Sequence, residues 1–152
     1  MLTLRLLVVL VHIALAALII GLPLGLPRLI GQGLNSGHAA ALRLAALEAA
    51  RRGKLAQVAA VLTLLSGVAL ILLSGGFSQV STNFHVALGL MLLAIGVGVF
   101  LQRPLIVAIV RAAQTDPPET EDVRARLSRL RFGGRAIQLL WLSILFLMLY
   151  RF

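Results

Sequence analysis

Two histidines are the residues of this chain best suited to chemistry. His12 lies in an apolar run from Leu6 to Leu26, and His85 opens a second run that starts at Phe84. An ionisable group inside a bilayer costs about 2.5–3.5 kcal/mol on insertion scales, so each one calls for a partner or a function. A neutral imidazole facing an apolar cavity can ligate haem iron, and axial histidines from two helices are a common way to hold haem b. Arg5 stands seven residues before His12, on the same helical face and at the membrane surface, where a guanidinium suits a propionate. The expectation is haem b held between the first and third spans by His12 and His85, with Arg5 near a propionate. A plainer reading stands beside it: both histidines make interhelical hydrogen bonds in a non-enzymatic scaffold or small transport component.

Other chemistries find less support. The chain has no Cys, which removes disulfides, thiolate metal sites and Cys nucleophiles. No Asp or Glu accompanies the histidines within the apolar runs, and two neutral ligands alone make a poor zinc or copper site. The acids Glu48, Asp116, Glu119, Glu121 and Asp122 all fall in the connecting segments, so hydrolase chemistry has no footing. His38 reads as part of a solvated cap.

The elements that must position these residues are set by composition. Of 152 residues, 60% are hydrophobic, and the mean hydropathy is +1.02. A soluble domain is about half apolar, so the excess has to face lipid. A span needs about 20 predominantly apolar residues, and four stretches qualify: 6–26, 55–74, 84–110 and 136–150. The first ends in Leu26-Pro27-Arg28-Leu29 rather than a small-residue cleavage site, so it reads as retained and not as a signal peptide. The fold class expected is all-α: a single-domain integral membrane up-down bundle of four helices with short cytoplasmic connecting helices.

Charge sets the expected direction. Arg28, Arg43, Arg51, Arg52 and Lys54 separate the first two spans; Arg103, Arg111, Arg124, Arg126, Arg129, Arg131 and Arg135 separate the last two. These are twelve of the fourteen basic residues, and the opposite side has only Arg5 and Arg151. The positive-inside rule makes the two basic loops cytoplasmic and puts both termini outside, as in a bacterial inner-membrane protein. The net charge of +9 is then spent on orientation and on anionic lipid heads rather than on nucleic acid. No aromatic-basic interleaving of the kind that stacks bases is present.

The basic loops themselves read as helical. An Ala/Leu/Arg-rich run to Arg52 starts after Asn35 or Ser36 as cap, and continues toward the second span with a weak point at Gly53. Thr115-Asp116-Pro117-Pro118 ends one helix and starts another, with Glu119, Glu121 and Asp122 in its first turn as the helix dipole favours. Gly133-Gly134 is expected to break that helix, and Pro104 to kink the third span. In lipid, close packing needs small residues. Ala59, Thr63, Gly67 and Ser74 form such a stripe on the second span. On the third, His85, Gly89 and Gly96 fall within about 40° of one another and are expected to face inward, leaving room for a flat ligand. The fourth span, nearly all Leu and Ile around Gln138, Trp141 and Ser143, has few small residues and is expected to pack loosely or to meet a second copy in a homodimer.

Val11-His12-Ile13-Ala14-Leu15-Ala16, the exit Leu26-Pro27-Arg28-Leu29, and Phe84-His85-Val86-Ala87-Leu88 together resemble a broad family of small membrane proteins. It includes the bacterial cofactor-dependent protoporphyrinogen oxidase, the copper-resistance D domain and related four- or five-helix proteins. The resemblance covers nearly the whole chain in element order, through short motifs. It implies the scaffold, haem binding, and a porphyrin or redox partner, and it carries over His12, His85 and Arg28. Ala87 stands where the oxidase branch usually has Lys, and Val97-Gly98-Val99-Phe100 where it has a tyrosine-histidine cluster. Residues specific to porphyrinogen oxidation are therefore not matched.

Overall fold

The computed structural model describes residues 2–149. In chain order it contains α1 (Leu2–Leu24), α2 (Leu26–Asn35), α3 (Ala39–Leu73), a short 3-10 turn (Phe77–Gln79), α4 (Thr82–Val97), a π-helical segment (Gly98–Gln102), α5 (Arg103–Gln114) and α6 (Thr120–Leu149). Among the described residues there is no strand. Four helical stretches are long and apolar enough to cross a membrane: Thr3–Asn35, Ala39–Leu73, Thr82–Gln114 and Thr120–Leu149. They include the four expected runs, except that Ser74 caps α3 just past its end and Tyr150 lies outside the described residues, as does Arg151. Many large apolar side chains face outward along them, Leu10 and Leu139 being 65% exposed.

The helices are longer than a hydrocarbon core requires. At 1.5 Å per residue, the 35 residues of α3 extend about 52 Å, against a hydrocarbon core of about 30 Å. The surplus gathers with α2, α5 and the start of α6 into a headpiece at the basic end. Its core holds Leu26, Ile30, Leu42, Ala46, Ala49, Ile106, Ile109, Val123 and Leu127. The connecting segments are thus extensions of the long helices that bury a core of their own. A smaller cluster lies further up, built on Ile19, Ala59, Ala60, Ala87, Met91 and Ile144, with Trp141 packed against it.

Several local expectations are settled. α3 is continuous through Gly53, where a side chain would meet the Ile106 Cδ1 at 3.2 Å. The break at Thr115–Pro118 stands between α5 and α6. Arg43 holds that corner: its Nε and Nη2 donate to the carbonyls of Ala113 and Thr115, at 3.2 and 3.0 Å, satisfying groups that a helix C-terminus leaves open.

Others are corrected. The N-cap of α3 is His38, not Asn35 or Ser36; Ser36 closes α2, and its Oγ accepts from the His38 N–H at 3.2 Å. Gly133-Gly134 does not break α6, which runs through it. Gly133 is buried, and a Cβ there would meet Leu101 Cδ2 at 3.7 Å, an ordinary packing distance. The distortion before Pro104 is a π segment: Pro104 has no N–H for the Phe100 carbonyl, and the ladder adjusts with the Arg103 N–H donating to the Gly98 carbonyl. The Gln57 Nε2 also donates to that carbonyl, at 3.3 Å.

The inward face of α4 is corrected too. Its buried residues are Ala87, Met91 and Ala94. His85 and Gly89 are exposed, and a Cβ at Gly89 or Gly96 would meet nothing within 4 Å. His85 and Ala87 are two residues apart, about 200° around a helix. A small-residue stripe is ambiguous because lipid-facing and inward faces are equally apolar. On α3 the expected stripe does face inward, with Ala59 and Thr63 buried and Gly67 against α1.

Candidate functional site

His12 is placed by α1 against the C-terminal third of α3. Its Nδ1 is 2.8 Å from the Ser66 Oγ, and the Ser66 Oγ donates to the Thr63 carbonyl at 2.9 Å. A hydroxyl has a single hydrogen. With that hydrogen on Thr63, the Ser66 oxygen is an acceptor for Nδ1–H, which leaves the lone pair of the neutral ring on Nε2. Gly67 permits the approach: a Cβ there would sit 3.2 Å from the His12 Cε1.

His12 also lines a cavity of about 290 Å³ between α1, α3, α4 and α6. Ala16, Ile20, Leu64, Met91, Ile144 and Trp141 contribute to its apolar walls, and Arg5 lines it at the end nearer the chain termini. Seven residues separate Arg5 from His12, about 10 Å along α1. A cavity with one neutral base in an apolar wall and one cation near its end suits an amphiphile that carries an acid.

The other expected site residues lie elsewhere. The exposed His85 ring has its centroid 6.2 Å from that of Phe77, and its Nδ1 is 3.3 Å from the Ser81 carbonyl oxygen. Phe84 lines the His12 cavity; His85, Gly89 and Gly96 are not among its lining residues. Arg28 is exposed and lines a shallow depression with Gln32 and Arg131 at the basic end, sixteen residues and about 24 Å along the chain's first two helices from His12. Among the described residues, no group of three or more His, Cys, Asp or Glu is arranged to hold a metal ion.

Ser66 is the functional residue that sequence reasoning missed. Its signal was available: it lies eight residues from the end of the second run, at nearly the depth of His12 in the antiparallel first run.

At the basic end, the electrostatics are ordinary surface pairs. Glu48 accepts from the Arg52 Nε at 2.8 Å, and this hydrogen bond holds its carboxyl below the usual carboxylate range. Asp122 accepts from the Arg126 Nε at 2.6 Å, which raises the Arg126 guanidinium further. No protein-family model, curated protein or solved structure matches the chain.

Proposed function

We propose that this chain is an integral membrane up-down bundle of four spans that binds a porphyrin of the haem b type, with basic loops cytoplasmic and termini on the other side of a bacterial inner membrane. One observation carries the reading: His12 and Arg5 line the same apolar cavity, and the His12 Nδ1 lies 2.8 Å from the Ser66 Oγ, a pairing that makes Nδ1 the donor and Nε2 the base when the hydroxyl hydrogen stays on Thr63. The residues fit such a group. Nε2 is the atom to ligate iron, with Ser66 as the outer partner that fixes the tautomer. Arg5 pairs with a propionate, and the apolar walls exclude water. Haem bound there would supply one-electron transfer; a redox partner or porphyrin donor is the implied companion. The resemblance to the oxidase and copper-resistance family supports the same scaffold. His85 enters as second ligand only through a turn of α4 or from a second copy in a homodimer.

Absorbance of the purified protein after haem supplementation tests this. The expected result is a Soret band that His12→Ala abolishes. Absence of the band, or an unchanged band in His12→Ala, sinks the proposal. His85→Ala reads separately whether a second ligand comes from that residue.

A second reading has its own observation. The His12–Ser66 bond joins α1 to α3 beside Gly67, so His12 also suits a purely structural bolt in a scaffold or small transport component. Under it, His12→Ala lowers the melting temperature and leaves the spectrum of the protein unchanged.

A further inference from the structure

A second cavity lies below the first. It is larger, about 440 Å³, and it opens between α3, the π segment and α6 toward the basic end. Its polar lining residues include Lys54, Gln57, Gln102 and Arg103, and no carboxylate lines it. The rest is mostly aliphatic, with Trp141 at one side, and Val58, Val61 and Val107 in its lining are exposed on the outer surface, so it opens sideways as well as downward.

Its depth is defined by helix lengths. Lys54 is nineteen residues from Leu73, the end of α3, and Arg103 is twenty-one from Thr82, the start of α4. Both distances are about 30 Å along the helix axis, one hydrocarbon thickness. The two cations therefore stand at the bilayer boundary on the basic side, above an apolar recess that faces the acyl chains. The π segment contributes to the arrangement. One extra residue in the turn rotates the downstream helix by about 100°. Gln102 ends the segment and Arg103 comes next, and both line the cavity.

We propose that this cavity is a binding site for one anionic phospholipid of the surrounding bilayer, its phosphate between Lys54 and Arg103 and an acyl chain in the aliphatic recess. A phosphate offers the acceptors that an ammonium and a guanidinium bind best. The lateral opening and aliphatic lining select a lipid over a soluble phosphate. The site rests on the membrane-spanning reading of the helices and is independent of haem. It is separate from the general attraction of the basic loops for an anionic leaflet, because Arg51 and Arg52 do not line the cavity.

Trp141 is the sole tryptophan and lines both cavities, which makes its fluorescence a reporter. The full chain is reconstituted in phosphatidylcholine vesicles containing a minor fraction of acyl-brominated lipid, either phosphatidylglycerol or phosphatidylcholine. At equal fraction, brominated phosphatidylglycerol is expected to quench Trp141 more. Each cation removed should weaken the preference about fivefold, so Lys54→Gln with Arg103→Gln equalises the two lipids. The charge-preserving pair Lys54→Arg with Arg103→Lys keeps the preference and guards against a folding defect, and Arg51→Gln with Arg52→Gln also keeps it. Equal quenching in the unaltered protein overturns the site while leaving the spans intact. The same loss in the Arg51/Arg52 pair reassigns the preference to the leaflet as a whole and also overturns it. Relief of quenching by inorganic phosphate, but not by chloride at matched ionic strength, overturns the lipid as occupant. No quenching by either lipid overturns the spanning reading itself.

Discussion

At the basic end, Ile30, Ile109 and Val123 are completely buried and four helical segments close around them. At the termini end, the buried set shrinks to residues such as Ile19, Ala87, Met91 and Ile144, beside a cavity that holds His12. α3 and α6 build both ends, joined by α2 and α5 in the headpiece and by α1 and α4 near the termini. In the spanning arrangement proposed above, the headpiece would reach beyond a hydrocarbon thickness, hide apolar side chains from water and gain the usual stabilisation for doing so. Between the spans, lipid is as apolar as leucine and that drive is missing; association relies on contact and on a few polar bonds. Fold stability is therefore expected to concentrate in the headpiece and ligand chemistry in the looser half.

The sharpest way to break this contrast is to cut the same residue type at both ends. Ile109→Ala in the headpiece is expected to cost about 2–5 kcal/mol, while Ile144→Ala lies at or below the lower limit of that range because lipid or the cavity absorbs the change. Thermal unfolding in detergent measures both, and equal losses would erase the distinction. Glycine offers a second pair. A Cβ at Gly33 would stand 2.8 Å from the Ala45 Cβ and 3.0 Å from the Ala41 carbonyl oxygen, both fixed on the next helix. Gly33→Ala should destabilise by about 1–3 kcal/mol. At Gly67 the obstacle is the His12 ring, so Gly67→Ala should leave the melting temperature closer to the original and shift the Soret band instead.

Ser66→Ala sharpens the comparison at the site itself. Loss of one interhelical bond within a membrane costs about 0.6 kcal/mol on average, but loss of an outer partner of a metal-ligating histidine typically lowers affinity about 10–100-fold. Haem titration against thermal stability separates the two. The smallest effect belongs to Glu48. Its folded carboxyl is held below the ordinary range by Arg52, so the stabilisation is complete above the unfolded carboxylate range and fades as pH falls through the lowered folded value. Melting temperatures of Glu48→Gln and the unaltered protein should therefore converge on acidification, and the part-exposed position keeps the difference small at every pH.

The long apolar runs were legible because a helix in lipid needs both length and hydropathy, and Thr115-Asp116-Pro117-Pro118 was legible because two successive prolines remove two helix N–H donors and clash with the turn before them. What could not be read was which way an apolar face points. His85, Gly89 and Gly96 share a stripe by periodicity, yet Ala87, Met91 and Ala94 face inward, since both faces of α4 carry residues that lipid accepts. Gly133-Gly134 misled for a related reason: in an isolated helix glycine is a weakness, whereas here the Leu101 side chain fills the space beside it. His12 was found as an isolated polar group, but its partner emerged only when α1 and α3 were set side by side.

The overshoot of α3 and α6 has a consequence for how the molecule meets membranes of different thickness. A free helix adapts to mismatch by tilting, but these helices are clamped together at the headpiece and cannot tilt one by one. Any adjustment has to be made at the opposite end, by splaying or closing the helix tips around the His12 cavity. In the spanning arrangement proposed above, a thinner or thicker bilayer would act on the width of that cavity, and affinity for a ligand held there would become a function of the lipid chain length around it.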